Sequence, residues 1–331
     1  MIIKIKHFAI RVFVRGGVLP WFLLIAIAVF SLSADPYLTG QNLFNVARQS
    51  IYLVMVSMAQ MVVLLTAGLD LSIGVIIAIT SVVSSMVMVA AWSGEGAGLI
   101  AIIAGCAAGL GAGTSVGVIN GLGVALFRVP PFMMTFAMTF IVAGIILMIT
   151  GGKPVYGIPD SFGAVFGYGI AGGVPIPVWI AIGFILLMYI FINWTRMGRY
   201  LYAIGGNRNV AVVSGVSTRF YLLMAYVVTA ALTSVAALML TARLGGGESN
   251  IGANYPFLTL AACLIGGVSF FGGRGRLPNV VMGAVLIMLV ENGLSMVGVN
   301  PYVHIIVIPA LLILAVIADN YRQKLLLSVR N

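Results

Sequence analysis

Charged residues are scarce in this chain of 331 residues. Only 7% of the residues are charged, against about a quarter in an ordinary soluble domain. Hydrophobic residues make up 62% of the chain, and its mean hydropathy is +1.17. So few polar side chains do not cover the surface of a water-soluble fold. The apolar stretches exceed the roughly 20 residues that cross a bilayer as a helix, so we predict an all-α integral membrane protein.

Cysteine and histidine are also rare. Cys106 and Cys263 lie in separate apolar runs, which indicates neither a disulfide framework nor a metal site. The chain lacks a Gly-x-x-x-x-Gly-Lys-Ser/Thr phosphate loop, a His-Glu-x-x-His motif and a Gly-x-Ser-x-Gly motif. We therefore predict no catalytic residue, no metal and no cofactor, and no ATP hydrolysis by this chain through a phosphate loop.

Acidic residues are few beside basic ones, 7 against 17. In a soluble protein this balance would suggest nucleic acid, but here the basic residues flank apolar segments and no basic patch with interleaved aromatic residues is present. Hydropathy predicts ten spans, at about 17–34, 49–67, 71–92, 97–127, 131–151, 176–194, 219–242, 256–272, 278–297 and 302–319. With the amino terminus inside, all but three of the 17 basic residues lie on the cytoplasmic side. The positive-inside rule thus predicts about ten transmembrane helices with both termini cytoplasmic.

The organisation along the chain is that of a single transmembrane domain over residues 1–331. The basic start followed by an apolar run imitates a signal peptide, but the spans that follow favour an uncleaved first helix. The parts predicted outside the bilayer are a cytoplasmic tail 1–16, an outer Gly- and Pro-rich segment 152–175 with room for a short re-entrant piece, a cytoplasmic loop 195–218 and a cytoplasmic tail 320–331. In the loop, a Gly-Gly-Asn turn signal precedes a short helical stretch that is expected to end near Gly215.

The fourth span carries a glycine at every fourth position. The repeat places these glycines on one smooth face of the helix, against which another helix packs closely. Packing is the predicted role, ahead of contact with a solute. The five positions are Gly105, Gly109, Gly113, Gly117 and Gly121.

Two acidic residues lie in apolar surroundings, where a charge is costly. Asp70, with Ser72 beside it, separates the second and third spans. A cap of the third helix and a direct role in the path or its gating both remain open for Asp70. Glu291 lies inside the ninth span, where a proton relay and a neutral, hydrogen-bonded group in the bundle are equally suitable interpretations.

Other polar and aromatic residues in the spans are candidates for a solute path. A sugar needs hydrogen-bond partners and an apolar ring face, and these residue types supply both. The same residues also serve as contacts between helices. The candidates are Gln60, Asn120, Phe132 and Thr135.

The order of several short motifs resembles the permeases of ribose-type ABC importers, a family grouped with the branched-chain amino acid permeases. Gly68 to Gly74 resembles the Gly-x-Asp-Leu-Ser-x-Gly stretch of that family. Gly117 to Gly121 and Val129 to Thr135 look like its Asn-Gly and Pro-Pro-Phe-x-x-Thr elements. The series continues with Tyr202 to Asn207, Ala211, Ser214 to Val216, Gly266-Gly267, Gly272 to Gly275 and Asn292 to Leu294. The resemblance covers roughly residues 45–320, and it departs from the family pattern at Arg208-Asn209 and Leu277-Pro278.

The resemblance implies the membrane permease subunit of an importer in the bacterial inner membrane, not an enzyme. Two permease subunits, identical or siblings, would form the pore within the bilayer. Two separate ATPases would dock on the cytoplasmic face, and a periplasmic binding protein would deliver a small sugar for alternating access. The implied ATPase-coupling residues are Gly206, Asn207, Arg208, Ala211, Ser214 and Gly215. The residues implied for the solute path are Gln60, Asp70, Ser72, Asn120, Phe132, Thr135, Glu291 and Asn292.

Three alternatives stay open on the sequence alone. Nucleosides or branched-chain amino acids are the competing solutes for an ABC permease. A secondary transporter, coupled to protons through Glu291 or Asp70, would need no ATPase. A membrane-embedded enzyme is disfavoured because the spans hold no cluster of acids, histidines or nucleophiles.

Overall fold

A computed structural model describes residues 19–96, 98–300, 302–304, 306–314 and 316–317 of the protein. The tails predicted at 1–16 and 320–331 lie outside these described residues. The described part is helical almost throughout. Its helices are α1 Leu19–Ser33, α2 Gly40–Leu64, α3 Ile73–Ala91, α4 Leu99–Ala125, α5 Pro131–Thr150, α6 Asp160–Phe162, α7 Ile176–Trp194, α8 Arg196–Gly206, α9 Arg208–Val213, α10 Thr218–Leu244, α11 Tyr255–Ile265, α12 Leu277–Met296 and α13 Tyr302–Leu314.

Seven of the described helices are long and apolar enough to cross a membrane. They are α2, α3, α4, α5, α7, α10 and α12. Three shorter apolar helices, α1, α11 and α13, accompany them. Each of these ten helices overlaps one of the ten predicted spans.

Helix α2 lies at the centre of the bundle. Within it, 83% of the most apolar stretch is buried inside the protein, against 22% for α5 and α7. The helix begins nine residues before the predicted span, because Thr39 caps its first turn and accepts a hydrogen bond from the backbone N–H of Asn42. Hydropathy misses these first turns since they are polar. Helices α5 and α7 lie at the periphery and leave broad apolar faces uncovered.

Helix α11 ends earlier than predicted. The predicted span runs to residue 272, but the helix stops at Ile265, and Gly267 and Gly272 both adopt positive φ angles, of +79°. Glycine adopts this left-handed conformation without a steric penalty, so the chain turns here instead of continuing the helix. At 1.5 Å per residue, the 11 residues of α11 cover about half of a 30 Å hydrocarbon core.

The outer segment between α5 and α7 contains short strands. Strand β1, Val155–Tyr156, pairs antiparallel with β4, Gly246–Gly247, which follows α10. Strands β2, Ile170–Ala171, and β3, Val174–Pro175, form a small hairpin. Between β1 and this hairpin, α6 continues into a π-helical turn at Gly163–Gly167. The β1–β4 pair therefore joins this segment to the end of α10.

The five regularly spaced glycines of α4 face α3 and α10. Gly105 and Gly109 lie against α3, Gly117 and Gly121 lie against α10, and Gly113 lies between the two helices. A Cβ atom at any of the five would come within 2.8 Å of a neighbouring atom. This is closer than ordinary non-bonded contact, at about 3.5–4.0 Å between carbon atoms, so the approach of the three helices depends on the missing side chains.

Candidate functional site

The turn between α2 and α3 holds a buried polar network. The Asp70 carboxylate accepts hydrogen bonds from the backbone N–H of Ser72 at 2.9 Å and from the Ser72 hydroxyl at 2.5 Å. Asn120 of α4 donates its side-chain N–H to the Ser72 hydroxyl at 2.8 Å. All three residues are 0% exposed. The structure thus brings together three of the residues predicted for the solute path.

The network leaves two acceptors free. Oδ2 of Asp70 and Oδ1 of Asn120 are buried and have no hydrogen-bond partner within the described part of the chain. Burial raises the pKa of the Asp70 carboxyl to about 6, although its two hydrogen bonds from Ser72 act to lower the pKa. Asp70 lies between the two helices and holds the backbone just before α3, as a capping residue does.

Helix α5 holds the same turn from the other side. The Thr135 hydroxyl accepts a hydrogen bond from the backbone N–H of Leu71 at 3.2 Å and lies 3.2 Å from the carbonyl oxygen of Leu69. Thr139, one helical turn further along, donates to the carbonyl oxygen of Leu71 at 3.2 Å. The turn is therefore fixed by side chains from two helices that are distant in sequence.

Phe132 begins an aromatic row on the outer face of α5. It is 52% exposed and stacks on Phe136, with 5.5 Å between the ring centroids. Phe136 makes an edge contact with Phe140 at 5.0 Å. Unlike Thr135, which is fully buried, Phe132 is available to a solute, a lipid or a partner subunit.

The remaining predicted path residues lie apart from this turn. Gln60 is fully buried in α2, and neither its amide nitrogen nor its amide oxygen has a partner among the described residues. Asn292 of α12 forms a reciprocal amide pair with Asn42 of α2, with hydrogen bonds of 2.9 and 3.0 Å. Glu291, beside it, is partly buried and lies near Tyr255. The structure therefore divides the candidates between the Asp70 turn, the centre of α2 and the α2–α12 contact.

Sequence reasoning missed one pair near the predicted outer side. The Arg243 guanidinium lies over the ring of Tyr52, 5.4 Å from its centroid, a cation–π arrangement. Tyr168 donates its hydroxyl hydrogen to the backbone carbonyl of Arg243. The available signal was a basic residue in the last turn of an otherwise apolar helix.

Helices α8 and α9 form the loop predicted to couple to an ATPase. Asn207 joins them, and its side-chain oxygen accepts hydrogen bonds from the backbone N–H groups of Asn209 and Val210, at 3.0 and 3.1 Å, which caps α9. The helix ends at Val213, and Gly215 follows with φ +80°. This matches the short helix that the turn signal predicts before Gly215.

The faces of α9 differ in exposure. Ala211 is 3% exposed and packs on Ile204 and Leu222 of the same chain, whereas Val213 is 84% exposed. Gly206 and Arg208 are exposed, as is Ser214. Ala211 therefore anchors α9 to the protein, and Val213 is the most exposed of the three exposed valines of α9.

A basic cavity of about 1060 Å³ adjoins this segment. Arg128, Arg208 and Arg219 line it, and no acidic residue of the described ranges does. Thr66, Gly68 and Tyr226 also line the cavity, and the first two belong to the turn that carries Asp70. The cavity therefore extends from α9 to the start of the turn that carries Asp70.

No group of three or more His, Cys, Asp or Glu residues that would suit a metal ion occurs in the described part of the chain. The polar groups described above are suited to hydrogen bonding and to helix positioning.

Comparison with known proteins decides the family. Residues 42–316 match the family model described as branched-chain amino acid transport system, permease component. The chain belongs to this family. It is 34% identical over 303 residues to the D-allose transport system permease protein of Escherichia coli, covering 91% of this chain and 90% of the relative. It is also 34% identical over 305 residues to the ribose import permease protein of the same organism, covering 91% and 92%.

A further relative is the galactose/methyl galactoside import permease protein of Escherichia coli, 30% identical over 317 residues, covering 91% of this chain and 92% of the relative. No solved structure matches the chain. The resemblance to ribose-type ABC permeases is thus confirmed. The chain is a multi-pass transport subunit of the bacterial inner membrane and not an enzyme.

Proposed function

We propose that this chain is the membrane permease subunit of an ATP-driven importer that takes up a small sugar. The observation that carries the proposal is the end-to-end similarity to three permeases named for allose, ribose and galactose import. ATP hydrolysis belongs to a separate ATPase subunit, and a periplasmic binding protein delivers the sugar. Nucleosides and branched-chain amino acids are the competing solutes.

We further propose ten membrane crossings with both termini in the cytoplasm. Seven long helices and three shorter ones supply the ten crossings. The predicted eighth span, 256–272, would then start earlier than hydropathy indicates, with the non-helical residues 245–254 as its first half and α11 as its second. Non-helical backbone is tolerated at membrane depth when protein or a water-filled cavity surrounds it, and here Gly252 packs against Gly74 of α3. The distribution of the basic residues supports the orientation.

The proposed solute path passes the Asp70 turn. Because Asp70, Asn120 and Thr135 are fully buried, we infer that they hold the turn in this conformation and that a sugar meets them only when the turn moves. Gln60, Ser72, Glu291 and Asn292 complete the proposed path. Phe132, which is exposed on α5, supplies the apolar surface that a sugar ring needs.

The proposed partners are two ATPase subunits, a periplasmic binding protein and a second permease subunit, which is identical or a sibling. The ATPase would meet Val213 and Arg208 at the exposed side of α9, with Gly206, Asn207, Ser214 and Gly215 shaping that side and Ala211 fixing it to the bundle. Beyond Phe132, lipid and the second permease would cover the apolar faces of α4, α5 and α7, which are largely uncovered within one chain.

The experiment that tests the proposal is gentle extraction of the tagged chain from its native membranes, with identification of what co-purifies. We expect a stoichiometric subunit that carries a Gly-x-x-x-x-Gly-Lys-Ser/Thr motif. Val213→Asp should release this subunit, because it places a charge on the apolar contact. The matched control, Val165→Asp, changes an exposed valine on the segment predicted to face outside and should retain the subunit.

Purified complex in vesicles then distinguishes the solutes and the mechanism. Uptake of labelled ribose, allose or galactose should require ATP inside the vesicle together with the binding protein. A chain that purifies without an ATPase and takes up solute with a proton gradient would contradict the proposal. That result would make Glu291 the next residue to substitute.

A further inference from the structure

Three backbone segments meet at the inner end of the coupling loop. They are the end of α8, the turn Leu65–Ala67 after α2, and the turn Gly272–Gly275 between α11 and α12. The backbone N–H of Gly273 donates to the carbonyl oxygen of Leu65 at 3.0 Å. The Tyr202 hydroxyl of α8 donates to the carbonyl oxygen of Gly275 at 2.8 Å. We call this contact the glycine junction.

Gly205 of α8 occupies the centre of the glycine junction. A methyl group at this position would overlap the carbonyl oxygen of Leu65 and lie 2.6 Å from the backbone nitrogen of Gly273. It would therefore sit directly on the hydrogen bond between Leu65 and Gly273. The φ angle of Gly205 is not in the left-handed region, so the requirement for glycine is one of space alone.

The other glycines of the junction are also closely packed. A Cβ atom on Gly272 would lie 2.6 Å from the backbone nitrogen of Ala67, and one on Gly273 would lie 2.7 Å from the Cα of Gly206. The three segments thus touch backbone to backbone at these glycines. Close-packed protein interiors transmit displacements instead of absorbing them.

Each segment leads to a different part of the permease. The end of α8 continues into α9, which carries the exposed Val213. Leu65–Ala67 continues into the turn of Asp70, which α4 and α5 hold by hydrogen bonds. Gly272–Gly275 follows α11, the half-length helix. One contact therefore joins the segment that leads to α9 to the Asp70 turn and to the α11–α12 connection.

We propose that Gly205 and Tyr202 are positioning residues of transport, and that the glycine junction makes the coupling loop, the Asp70 turn and the α11–α12 turn move together. The proposal rests on the proposed function, since it needs an ATPase that moves α9. Neither residue contacts the solute. Their part is to transfer the movement of the loop to the turns that open and close the path.

The test compares variants in vesicles that contain the complete complex with its ATPase and binding protein, supplied with ATP. The measured quantity is the number of sugar molecules taken up per ATP hydrolysed, alongside subunit stoichiometry and unfolding temperature. Gly205→Ala should keep the subunits together but lower this ratio about tenfold, within the range typical of coupling between sites. Tyr202→Phe, which adds no atoms, should lower it about threefold, as expected for one hydrogen bond.

Gly183→Ala is the matched control. Gly183 lies within α7, the helix preceding α8, and a Cβ atom there has no neighbouring atom within 4 Å. The ratio should stay at the wild-type value in this variant, and a fall equal to that of Gly205→Ala would overturn the proposal.

Two further outcomes would also overturn it. One is a wild-type ratio in Gly205→Ala. The other is a proportional loss of uptake and hydrolysis together with a lower unfolding temperature, because this would show a structural role only. If Gly205→Ala fails to assemble, Tyr202→Phe decides, and an unchanged ratio in that variant refutes the coupling role. A wild-type chain that purifies without any ATPase would instead refute the proposed function, independently of all three variants.

Discussion

Replacing Gly117 by alanine should force α4 away from α10. The added methyl group would overlap the Cβ of Ala230 and lie 2.6 Å from the carbonyl oxygen of Tyr226. Ordinary separations between non-bonded carbon atoms are about 3.5–4.0 Å. Both obstacles lie close to the α10 backbone, so no rotation of a side chain relieves the overlap. The two helices must separate, or α10 must bend.

The expected cost follows from two opposing effects. Inserting a methyl group into a well-packed interior costs about 1–3 kcal/mol. Alanine in place of glycine within a helix returns up to about 1 kcal/mol. We expect Gly117→Ala to lower the free energy of unfolding by about 1–2 kcal/mol. Since membrane helices pack through such small residues, the loss should appear as a less stable bundle.

Gly111 of the same helix provides the matched control. A Cβ atom there has no neighbour within 4 Å, so Gly111→Ala should be neutral or stabilising by up to about 1 kcal/mol. The two variants have identical composition and differ only in where the methyl group points. At about 2–4 °C per kcal/mol for a large domain, their unfolding temperatures should differ by about 5 °C.

The assay is heating in detergent, followed by size-exclusion chromatography to measure the fraction that remains monodisperse. Equal midpoints for Gly117→Ala and Gly111→Ala would refute the argument, because the glycine face would then tolerate the volume. A Gly111→Ala variant less stable than Gly117→Ala would refute it more strongly.

Three other predictions concern polar and aromatic residues of the candidate path. Asn292→Ala should cost about 1–3 kcal/mol, because it leaves the buried amide oxygen of Asn42 without its donor. The double replacement of both by leucine should be less harmful than the single changes, and additive costs in unfolding experiments would contradict this. Asp70→Asn retains an acceptor oxygen for Ser72, so it should be more stable than Asp70→Ala by about 1–3 kcal/mol in denaturant unfolding. Equal losses of stability in the two variants would show that the hydrogen bonds from Ser72 contribute nothing. Phe132→Ala should change the free energy of unfolding by less than about 0.5 kcal/mol, because the side chain is 52% exposed. The same variant should reduce sugar uptake. Unaltered uptake would remove Phe132 from the proposed path.

Membrane class and approximate helix positions could be predicted from the sequence. Both follow from local properties, since a stretch of about 20 apolar residues crosses a bilayer whatever surrounds it. The errors fell where a local polar or glycine signal overrides hydropathy. Thr39 begins α2 before the apolar run does, and Gly267 stops α11 inside a run that still appears helical.

The partners of the buried polar groups were decided by the tertiary structure alone. Asn120 reaches Ser72 across 48 residues, and Asn42 reaches Asn292 across 250. The sequence identified Asn120 and Asn292 as candidates because polar groups are costly in lipid, but that cost does not specify which partner relieves it. Similarly, the loop motif includes Ala211 without indicating that this residue faces inward. Hydropathy depends on neighbours along the chain, whereas hydrogen bonding and burial depend on neighbours in space.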